Sequence, residues 1–206
     1  MLIAGLTGGI ASGKSTVSGF LKEAGAVIVD ADKIARHVVQ KGQPAWQKIV
    51  DVFGSSILLP DGEIDRSLLG DIIFHDPEQK QALNRIVHPE VFSENATRLR
   101  EIEKNQPDAI VILDVPLLIE SGMDVGLSEI IVVYIPESLQ IQRLMHRDAL
   151  TPARALARIG SQMPIEEKKK RATLLIDNSG SLENTRKQTL RIYRLLKDSL
   201  TRQGIS

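Results

Sequence analysis

A glycine-rich segment near the amino terminus has the spacing of a phosphate-binding loop. Residues 8–15 read Gly-Gly-Ile-Ala-Ser-Gly-Lys-Ser, which fits the pattern G-x-x-x-x-G-K-[S/T] between a predicted strand and a predicted helix. Glycines allow the backbone to wrap a phosphate, while inward N–H groups and the helix N-terminus attract it. We expect Lys14 to reach the outer phosphates and Ser15 to ligate Mg²⁺. The segment predicts nucleotide binding but leaves open a switch, a motor or a kinase.

Two carboxylates follow the second predicted strand. Asp30 and Asp32 come at its carboxyl end, the edge at which α/β sheets bind ligands. A carboxylate there can accept the proton of an attacking hydroxyl, and Arg36, one turn after Asp32, can neutralise a substrate phosphate or pair with the acid. The alternative is that an aspartate caps the helix that starts here. For Asp30 both roles stay open, whereas the position of Asp32 inside the first turn favours a functional role.

The third predicted strand also ends in an acid. Asp114 terminates an apolar run and is followed by Val-Pro-Leu-Leu. An acid at this position resembles a Walker B carboxylate, which holds Mg²⁺ through water. The alternative is an aspartate that starts a turn before proline. Together with the phosphate loop, Asp114 predicts a second group at the same edge of the sheet.

Basic residues cluster in the last third of the chain. Arg143 and Arg147 are four residues apart and therefore share one face of a predicted helix, and Arg158 and the run 168–171 follow. Phosphoryl transfer needs cations that close over the transferring group, and an arginine-rich lid supplies them. The alternatives for the run are a solvated helix face or a nucleic-acid patch. A nucleic-acid patch is disfavoured because two glutamates precede the run and aromatic residues make up only 3% of the chain.

Alternating short apolar runs and helical patterns predict an α/β fold with a parallel sheet. The predicted strands are Leu2–Leu6, Ala26–Val29, Ala109–Leu113, Ile130–Ile135 and Leu174–Ile176. The predicted helices are Lys14–Ala24, Ala31–Gln40, Ala45–Phe53, Arg66–Phe74, a long helix ending near Lys104, Ser138–Arg147 and Leu182–Thr201. About 80 residues separate the second strand from the third, so this stretch predicts a helical subdomain.

Composition limits the class of protein. The 206 residues carry 26 basic and 26 acidic side chains, which argues against a surface built wholly for polyanions. The chain has no cysteine, which excludes a disulfide framework and a thiolate metal site and agrees with a reducing cytosol. The N-terminus does not fit a signal peptide, and no apolar window approaches the roughly 18 residues of a spanning helix. We expect a cytoplasmic protein without a membrane or nucleic-acid partner.

In its ordered set of motifs the sequence resembles the dephospho-CoA kinases, P-loop kinases that phosphorylate the ribose 3′-hydroxyl in the last step of coenzyme A synthesis. The resemblance is carried by Leu6-Thr-Gly-Gly-Ile with Gly13-Lys-Ser-Thr, Asp30-Ala-Asp32 with Ile34-Ala-Arg36, Gly62-Glu-Ile-Asp65-Arg66, His88-Pro89, Pro116-Leu-Leu with Glu120, Gln142-Arg143 with Arg147, Gln162-Met-Pro, and Ile176-Asp-Asn178-Ser-Gly180. These motifs span nearly the whole chain. The phosphate loop is generic, but the order of the other segments is specific to this kinase.

The resemblance implies a P-loop NTPase-type parallel sheet flanked by helices, with an inserted helical substrate domain and a helical lid. The expected core comprises about residues 1–40, 107–140 and 172–206, the insertion 41–106 and the lid 141–171. The implied reaction uses ATP and Mg²⁺ and is that of EC 2.7.1.24. We expect a monomer or a weak homo-oligomer.

The resemblance also implies roles for single residues. The catalytic set would be Asp32 as the base, with Lys14, Arg143 and Arg147. The ATP contacts would be Ala11, Ser12, Gly13, Lys14, Ser15, Thr16, Arg147, Asn178 and Gly180, the last two against adenine. The dephospho-CoA contacts would be Asp32, Arg36, His88, Pro116, Leu117 and Arg158. Mg²⁺ would be held by Ser15 and, through water, by Asp114.

Two positions carry further expectations. Ala11 stands where the family commonly has glycine, which matters only if this position needs a positive φ. His88 precedes Pro89, and a proline inside a helical pattern implies a kink or a new helix start, with an incidental histidine as the alternative to a wall of the substrate pocket.

Other nucleotide-binding classes remain as rivals. One is another P-loop kinase, for a nucleoside or a shikimate-like alcohol, and another is a regulatory NTPase. A switch of the Ras type is disfavoured because the chain has no Asn-Lys-x-Asp motif.

Overall fold

The chain is built of both strands and helices, and this computed structural model describes its residues 1–203. The strands are β1 (Leu2–Gly8), β2 (Val27–Asp30), β3 (Ile110–Asp114), β4 (Glu129–Tyr134) and β5 (Leu174–Asp177). The α-helices are α1 (Lys14–Glu23), α2 (Ala31–Val38), α3 (Pro44–Phe53), α4 (Arg66–His75), α5 (Pro77–Asn105), α6 (Glu137–Asp148), α7 (Pro152–Ile159), α8 (Ile165–Lys170) and α9 (Leu182–Gln203). The end of the predicted core segment, residues 204–206, lies outside the described residues.

The predicted elements are all present. Each of the five strands and seven helices predicted from the sequence is found, with predicted ends displaced by at most two residues. The pattern does not predict α7 and α8 separately because helices of 8 and 6 residues contain too few turns to show a period. The prediction of an α/β class with a parallel sheet is confirmed.

The chain forms two compact units, one of Met1–Val29 with Glu103–Ser206 and one of Asp30–Ile102. The sheet has five strands in the order β2-β3-β1-β4-β5. β1 pairs in parallel with β3 and β4, and β4 pairs in parallel with β5. The connections from β1 to β2, from β2 to β3 and from β4 to β5 contain helices, whereas the connection from β3 to β4 is formed by turns. Because β1 lies at the centre of the sheet, the loop that follows it lies at the middle of the carboxyl edge.

Burial on both faces explains the continuous apolar strands. Every residue of β3 and the four central residues of β4 are buried. The main core cluster joins these strands to α1 and α9 through Val17, Leu21, Ile192 and Leu196. Full burial of a Leu, Ile or Val side chain stabilises the fold by about 1.5 to 3 kcal/mol.

The unit of residues 30–102 has a core of its own. Ile49, Ile57, Ile64 and Leu69 are its buried centre, and partly buried side chains of α3, α4 and α5 pack around them. Asp65 caps α4 by accepting hydrogen bonds from Ser67 N and Leu68 N at 3.0 Å. The unit of residues 30–102 therefore has an apolar centre of its own.

The long helix α5 passes through Pro89 without interruption. Of the two outcomes expected at this residue, a kink or a new helix start, the new helix start is not found. A proline removes one N–H and so one hydrogen bond of the helix, while the bonds on either side of it in this 29-residue helix remain.

Among residues 1–203, no helix is both long and apolar enough to cross a membrane.

The tight packing of β1 predicts opposite effects for two glycines. In Gly5→Ala the new Cβ would lie 2.5 Å from Leu118 Cδ2 and 2.9 Å from Leu127 Cδ1, and we expect this overpacking to destabilise the fold by about 1 to 3 kcal/mol. In Gly19→Ala the new Cβ meets nothing within 4 Å on the exposed face of α1, and we expect a gain of about 0.5 to 1 kcal/mol. Denaturant unfolding of both variants measures the difference. Equal stabilities for the two variants would contradict the packing described for β1.

Candidate active site

The loop between β1 and α1 has the geometry of an anion-binding site. A hydrogen bond from Ser12 N to Gly9 O at 3.0 Å closes the turn that follows Gly8. Gly13 occupies the N-cap of α1 with φ +86°, a left-handed conformation that glycine adopts at little cost. No side chain within residues 1–203 caps α1. The N–H groups and the partial positive charge at the start of α1 are therefore left for an anion.

Ala11 also adopts a positive φ, of +59°. The exchange of the family's common glycine for alanine at this position therefore does matter, and the left-handed conformation costs about 1 to 2 kcal/mol for a residue with a Cβ. Ala11 packs against the apolar cluster of Leu144, Ala155 and Ile159. This contact ties the phosphate loop to α6 and α7 and offsets part of the conformational cost.

Lys14 and Asp114 are brought together as the sequence suggests. Asp114 stands level with Leu6 in the β1–β3 register, and its side chain is buried except for 9% of its surface. Lys14 Nζ donates a hydrogen bond to Asp114 Oδ1 and forms an ion pair with it. The lysine of the loop thus lies beside the acid of the neighbouring strand, at the carboxyl edge of the sheet.

The donor set of this edge fits Mg²⁺. Ser15, exposed in the first turn of α1, offers a hydroxyl, and Asp114 offers a carboxylate, and Mg²⁺ prefers such oxygen ligands. Ser12 Oγ is buried in the same loop without a hydrogen-bond partner among the described residues. No group of three or more Asp, Glu or His side chains in residues 1–203 could hold a metal ion. A Mg²⁺ ion here would take its other ligands from substrate phosphates and water, as is usual for this ion.

The two aspartates after β2 have different positions in α2. Asp30 is the N-cap and accepts a hydrogen bond from Lys33 N at 3.0 Å, so the capping interpretation holds for this residue. Asp32 lies exposed in the first turn and is not the cap. Arg36 is exposed on the last turn, and its carbonyl oxygen accepts a hydrogen bond from Arg66 Nη2 at 3.2 Å. The helix cap is therefore supplied without Asp32.

The other predicted substrate contacts lie in both units. His88 is exposed in the middle of α5. Leu117 is 43% exposed just beyond β3. Pro116, beside it, accepts hydrogen bonds at its carbonyl oxygen from Thr7 Oγ1 and from Lys168 Nζ, each at 2.9 Å. The segment after β3 is thus fixed by its backbone and presents a leucine to solvent.

Two of the predicted lid arginines share one carboxylate. Arg147 Nε lies 2.8 Å from Asp148 Oδ1, and Arg158 Nη1 lies 2.7 Å from Asp148 Oδ2. Arg143 instead donates through Nη2 to the carbonyl oxygen of Asn178 at 2.9 Å. Asp148 was not singled out in the sequence, where its only signal is its position directly after Arg147.

The pairing changes the pKa values of both partners. The hydrogen bond from Arg147 is the main reason that the pKa of Asp148 is lowered, and the charges of Arg147 and Arg158 add to it. The same hydrogen bond raises the pKa of the Arg147 guanidinium. Both groups therefore keep their charges throughout the neutral range.

An ion pair between the buried Lys168 and the more exposed Glu120 links α8 to the segment after β3. The side chain of Lys168 is 0% exposed, and its Nζ lies 2.8 Å from Glu120 Oε1. Glu120 Oε1 also accepts a hydrogen bond from Met163 N at 3.0 Å, and the neighbouring Gln162 Oε1 accepts one from Ile10 N at 3.0 Å. The Glu120 and Gln162-Met-Pro motifs thus connect the phosphate loop, the segment after β3 and α8.

Within the basic run 168–171, Lys168 is buried, whereas Lys169, Lys170 and Arg171 are exposed. Besides Lys168, Arg171 Nη2 lies 2.6 Å from the buried Asp124, and Lys169 Nζ lies 4.3 Å from the ring centre of Tyr134. The interpretation as a solvated helix face is wrong for Lys168. A fully buried ammonium needs a carboxylate partner, and Glu120 supplies it.

Asn178 and Gly180, the predicted adenine contacts, differ in exposure. Gly180 is exposed after β5. Asn178 is 8% exposed and its side-chain amide donates to the carbonyl oxygen of Ser12 in the phosphate loop at 2.7 Å. The contact joins residues 166 positions apart, so nothing in the local sequence indicates it.

A parallel α/β sheet whose central strand leads into a phosphate loop, with the loop lysine beside a strand-end aspartate, defines a P-loop NTPase-type fold. The family model for dephospho-CoA kinase matches residues 2–184. The chain belongs to the dephospho-CoA kinase family.

Individual relatives agree with this assignment. A dephospho-CoA kinase from Carboxydothermus hydrogenoformans is 52% identical over 95% of this chain and 94% of its own length. One from Oryza sativa subsp. japonica is 44% identical over 98% of this chain and 87% of its own. The solved dephospho-CoA kinase from Campylobacter jejuni has a TM-score of 0.74 at 31% identity, covering 96% of this chain and 98% of the other.

The lowered pKa of Asp148 predicts an acid-sensitive contribution to stability. A carboxylate whose pKa is lower in the folded state stabilises the fold above its ordinary value of about 3.9, and this stabilisation is lost as the pH falls through the folded-state pKa. We expect Asp148→Asn to lower Tm at neutral pH and to make Tm fall less steeply between about pH 5 and pH 2. Thermal melts over this range check the prediction. Parallel curves for parent and variant would contradict it.

Proposed function

We propose that this protein transfers the γ-phosphate of ATP to the ribose 3′-hydroxyl of dephospho-CoA, with coenzyme A and ADP as products. The observation that carries the proposal is the extent of the family match. Residues 2–184 include both the phosphate loop and the whole unit of residues 30–102, in which Asp32, Arg36 and His88 lie. A phosphate loop by itself is compatible with any P-loop class, whereas a match over the helical unit favours one acceptor substrate.

The proposed reaction is a direct in-line transfer. A bond forms between the 3′-oxygen and the γ-phosphorus, the bond from that phosphorus to the β–γ bridging oxygen breaks, and the 3′-hydroxyl proton passes to Asp32. Lys14 neutralises the outer phosphates of ATP, exchanging its partner Asp114 for a more highly charged anion. Mg²⁺, bound by Ser15 and through water by Asp114, would spread the negative charge of the phosphate oxygens.

The remaining roles follow the same scheme. Residues 11–16 contact the phosphates of ATP, and Gly180 lies against adenine. Arg143, Arg147 and Arg158 supply positive charge from the lid, residues 141–171. Arg36, His88, Pro116 and Leu117 contact dephospho-CoA. The exposed fractions of the side chains of Arg147 and Arg158, 58% and 54%, support this proposal because both can reach a ligand from solvent.

We also propose the division into core, helical insertion and lid given above, a cytoplasmic location and a monomer or weak homo-oligomer. The absence of cysteine and the balanced charge of the chain support an intracellular small-molecule enzyme that does not bind nucleic acid.

Product analysis tests the proposed activity. With Mg-ATP and dephospho-CoA we expect a product heavier by about 80 Da, the mass of an added HPO₃ group in a phosphoryl transfer, located on the 3′-oxygen. ADP release should depend on dephospho-CoA and should not rise with nucleosides or shikimate. ADP release without any acceptor would favour a regulatory NTPase, and phosphorylation of another alcohol alone would favour a different small-molecule kinase.

A pair of asparagine variants separates catalysis from helix capping. In Asp32→Asn the side chain can still form hydrogen bonds but cannot take up a proton at neutral pH, and we expect turnover to fall by about 10² to 10⁴-fold. In Asp30→Asn the cap is exchanged for an equally good one, so turnover should stay within a few-fold of the parent. Steady-state kinetics with melting curves measures both effects.

For both variants we expect Tm and ATP affinity to stay nearly unchanged. The base would have to be reassigned if Asp32→Asn turned over within a few-fold of the parent, or lost activity only in step with its folded fraction. A large loss in Asp30→Asn instead would make Asp30 the candidate acid.

A further inference from the structure

Both polar atoms of the Asn178 side chain form hydrogen bonds within the protein. Its Nδ2 donates a hydrogen bond to the carbonyl oxygen of Ser12 at 2.7 Å, and its Oδ1 accepts one from Thr185 Oγ1 at 2.6 Å. Both contacts are buried, and Thr185 is 0% exposed on α9. The amide nitrogen and the amide oxygen of Asn178 are thus each held by a different partner. The two contacts together fix the orientation of the amide plane.

The backbone of Asn178 is held equally firmly. Its N–H donates to the carbonyl oxygen of Tyr134 at the end of β4 at 2.9 Å. Its carbonyl oxygen accepts the hydrogen bond from Arg143 Nη2 on α6 at 2.9 Å. Strand β4, helix α6 and helix α9 together therefore place this one amide under the phosphate loop.

The loop in turn leaves room for that amide. A Cβ at Gly13 would collide with Asn178 Nδ2. The glycine of the phosphate-loop motif is therefore required at this position both by its φ of +86° and by the close approach of Asn178.

The contact with Ser12 determines which way a loop peptide faces. In a planar trans peptide the C=O and the following N–H point in opposite directions, and the described chain contains no cis peptide bond. When the carbonyl oxygen of Ser12 is held by Asn178, the N–H of Gly13 is turned away from Asn178. Reversal of this peptide would aim a carbonyl oxygen at the place where an anion binds, which would repel it.

We propose that Asn178 is a positioning residue for the phosphate loop: it holds the Ser12–Gly13 peptide in the orientation that binds phosphate, and it acts on the triphosphate rather than on adenine. The proposal rests on the proposed role of this loop as the ATP site. Thr185 is part of the same hydrogen-bond network because its hydroxyl orients the amide of Asn178.

A ligand that has phosphates but no nucleobase distinguishes a role in phosphate binding from a contact with adenine. We would measure by calorimetry the affinity of the full chain for Mg-ATP, Mg-GTP and Mg-tripolyphosphate. In Asn178→Ala we expect affinity for all three to fall by the same factor, roughly three- to tenfold or more for the loss of a buried hydrogen bond, with the ATP-to-GTP ratio unchanged. A contact with adenine would weaken ATP alone and leave tripolyphosphate binding at the parental level, which would overturn the proposal.

A matched pair of variants at the buried Thr185 tests the same hydrogen-bond network. Thr185→Val removes the hydroxyl at nearly constant volume, and Thr185→Ser keeps it. We expect Thr185→Val to weaken tripolyphosphate binding and Thr185→Ser to retain it, when both are compared at equal folded fraction by circular dichroism. Equal tripolyphosphate binding by the two variants would contradict the proposal even if Asn178→Ala failed to fold.

The experiments distinguish a failure of the proposed function from a failure of this inference. A parent protein that binds ATP and tripolyphosphate but does not phosphorylate dephospho-CoA would reject the activity and leave the test of Asn178 intact. A parent protein that binds neither ligand would overturn the assignment of the loop and this inference with it.

Discussion

A phosphate loop binds an anion only while its N–H groups face inward, and its other polar backbone groups must then find partners in the protein. In this chain those partners come from distant segments. Ile10 N donates to Gln162 and the carbonyl oxygen of Ser12 accepts from Asn178, residues that follow α7 and β5 respectively. The helices and strands that precede these two residues therefore act as the scaffold that holds both side chains against the phosphate loop.

The ion pair of the buried Lys168 with Glu120 is the second constraint. A charge that is fully removed from water is costly unless it is paired and hydrogen-bonded, and both conditions are met here by Glu120 and the carbonyl oxygen of Pro116. As a result α8 is anchored to its own unit, although it falls within the segment predicted as a lid. The arginines with exposed guanidinium groups, Arg147 and Arg158, lie on α6 and α7 and are held by Asp148 at the surface, where a ligand can compete for them.

Helix geometry separates the two aspartates that the sequence presents together. An N-cap side chain accepts a hydrogen bond from the N–H groups two or three residues on, and Asp30 does so with Lys33 N. Asp32, two residues after the cap, is in the first turn and exposed. Capping is thus provided by Asp30, and Asp32, the residue that we propose as the base, is not required for it.

The sequence by itself determined the strands, seven of the helices and the phosphate loop, because each depends on residues within a few positions of one another, whereas it left Asp30 open between helix capping and a functional role. It also indicated Asp114 as a second group at the edge of the sheet that carries the phosphate loop, since parallel strands bring their carboxyl ends to one edge. Only the tertiary structure decided the continuity of α5 through Pro89, the burial of Lys168 and the contact of Asn178 with Ser12. These depend on partners up to 166 positions apart or on the balance of a whole helix, and neither has a periodic or local signature.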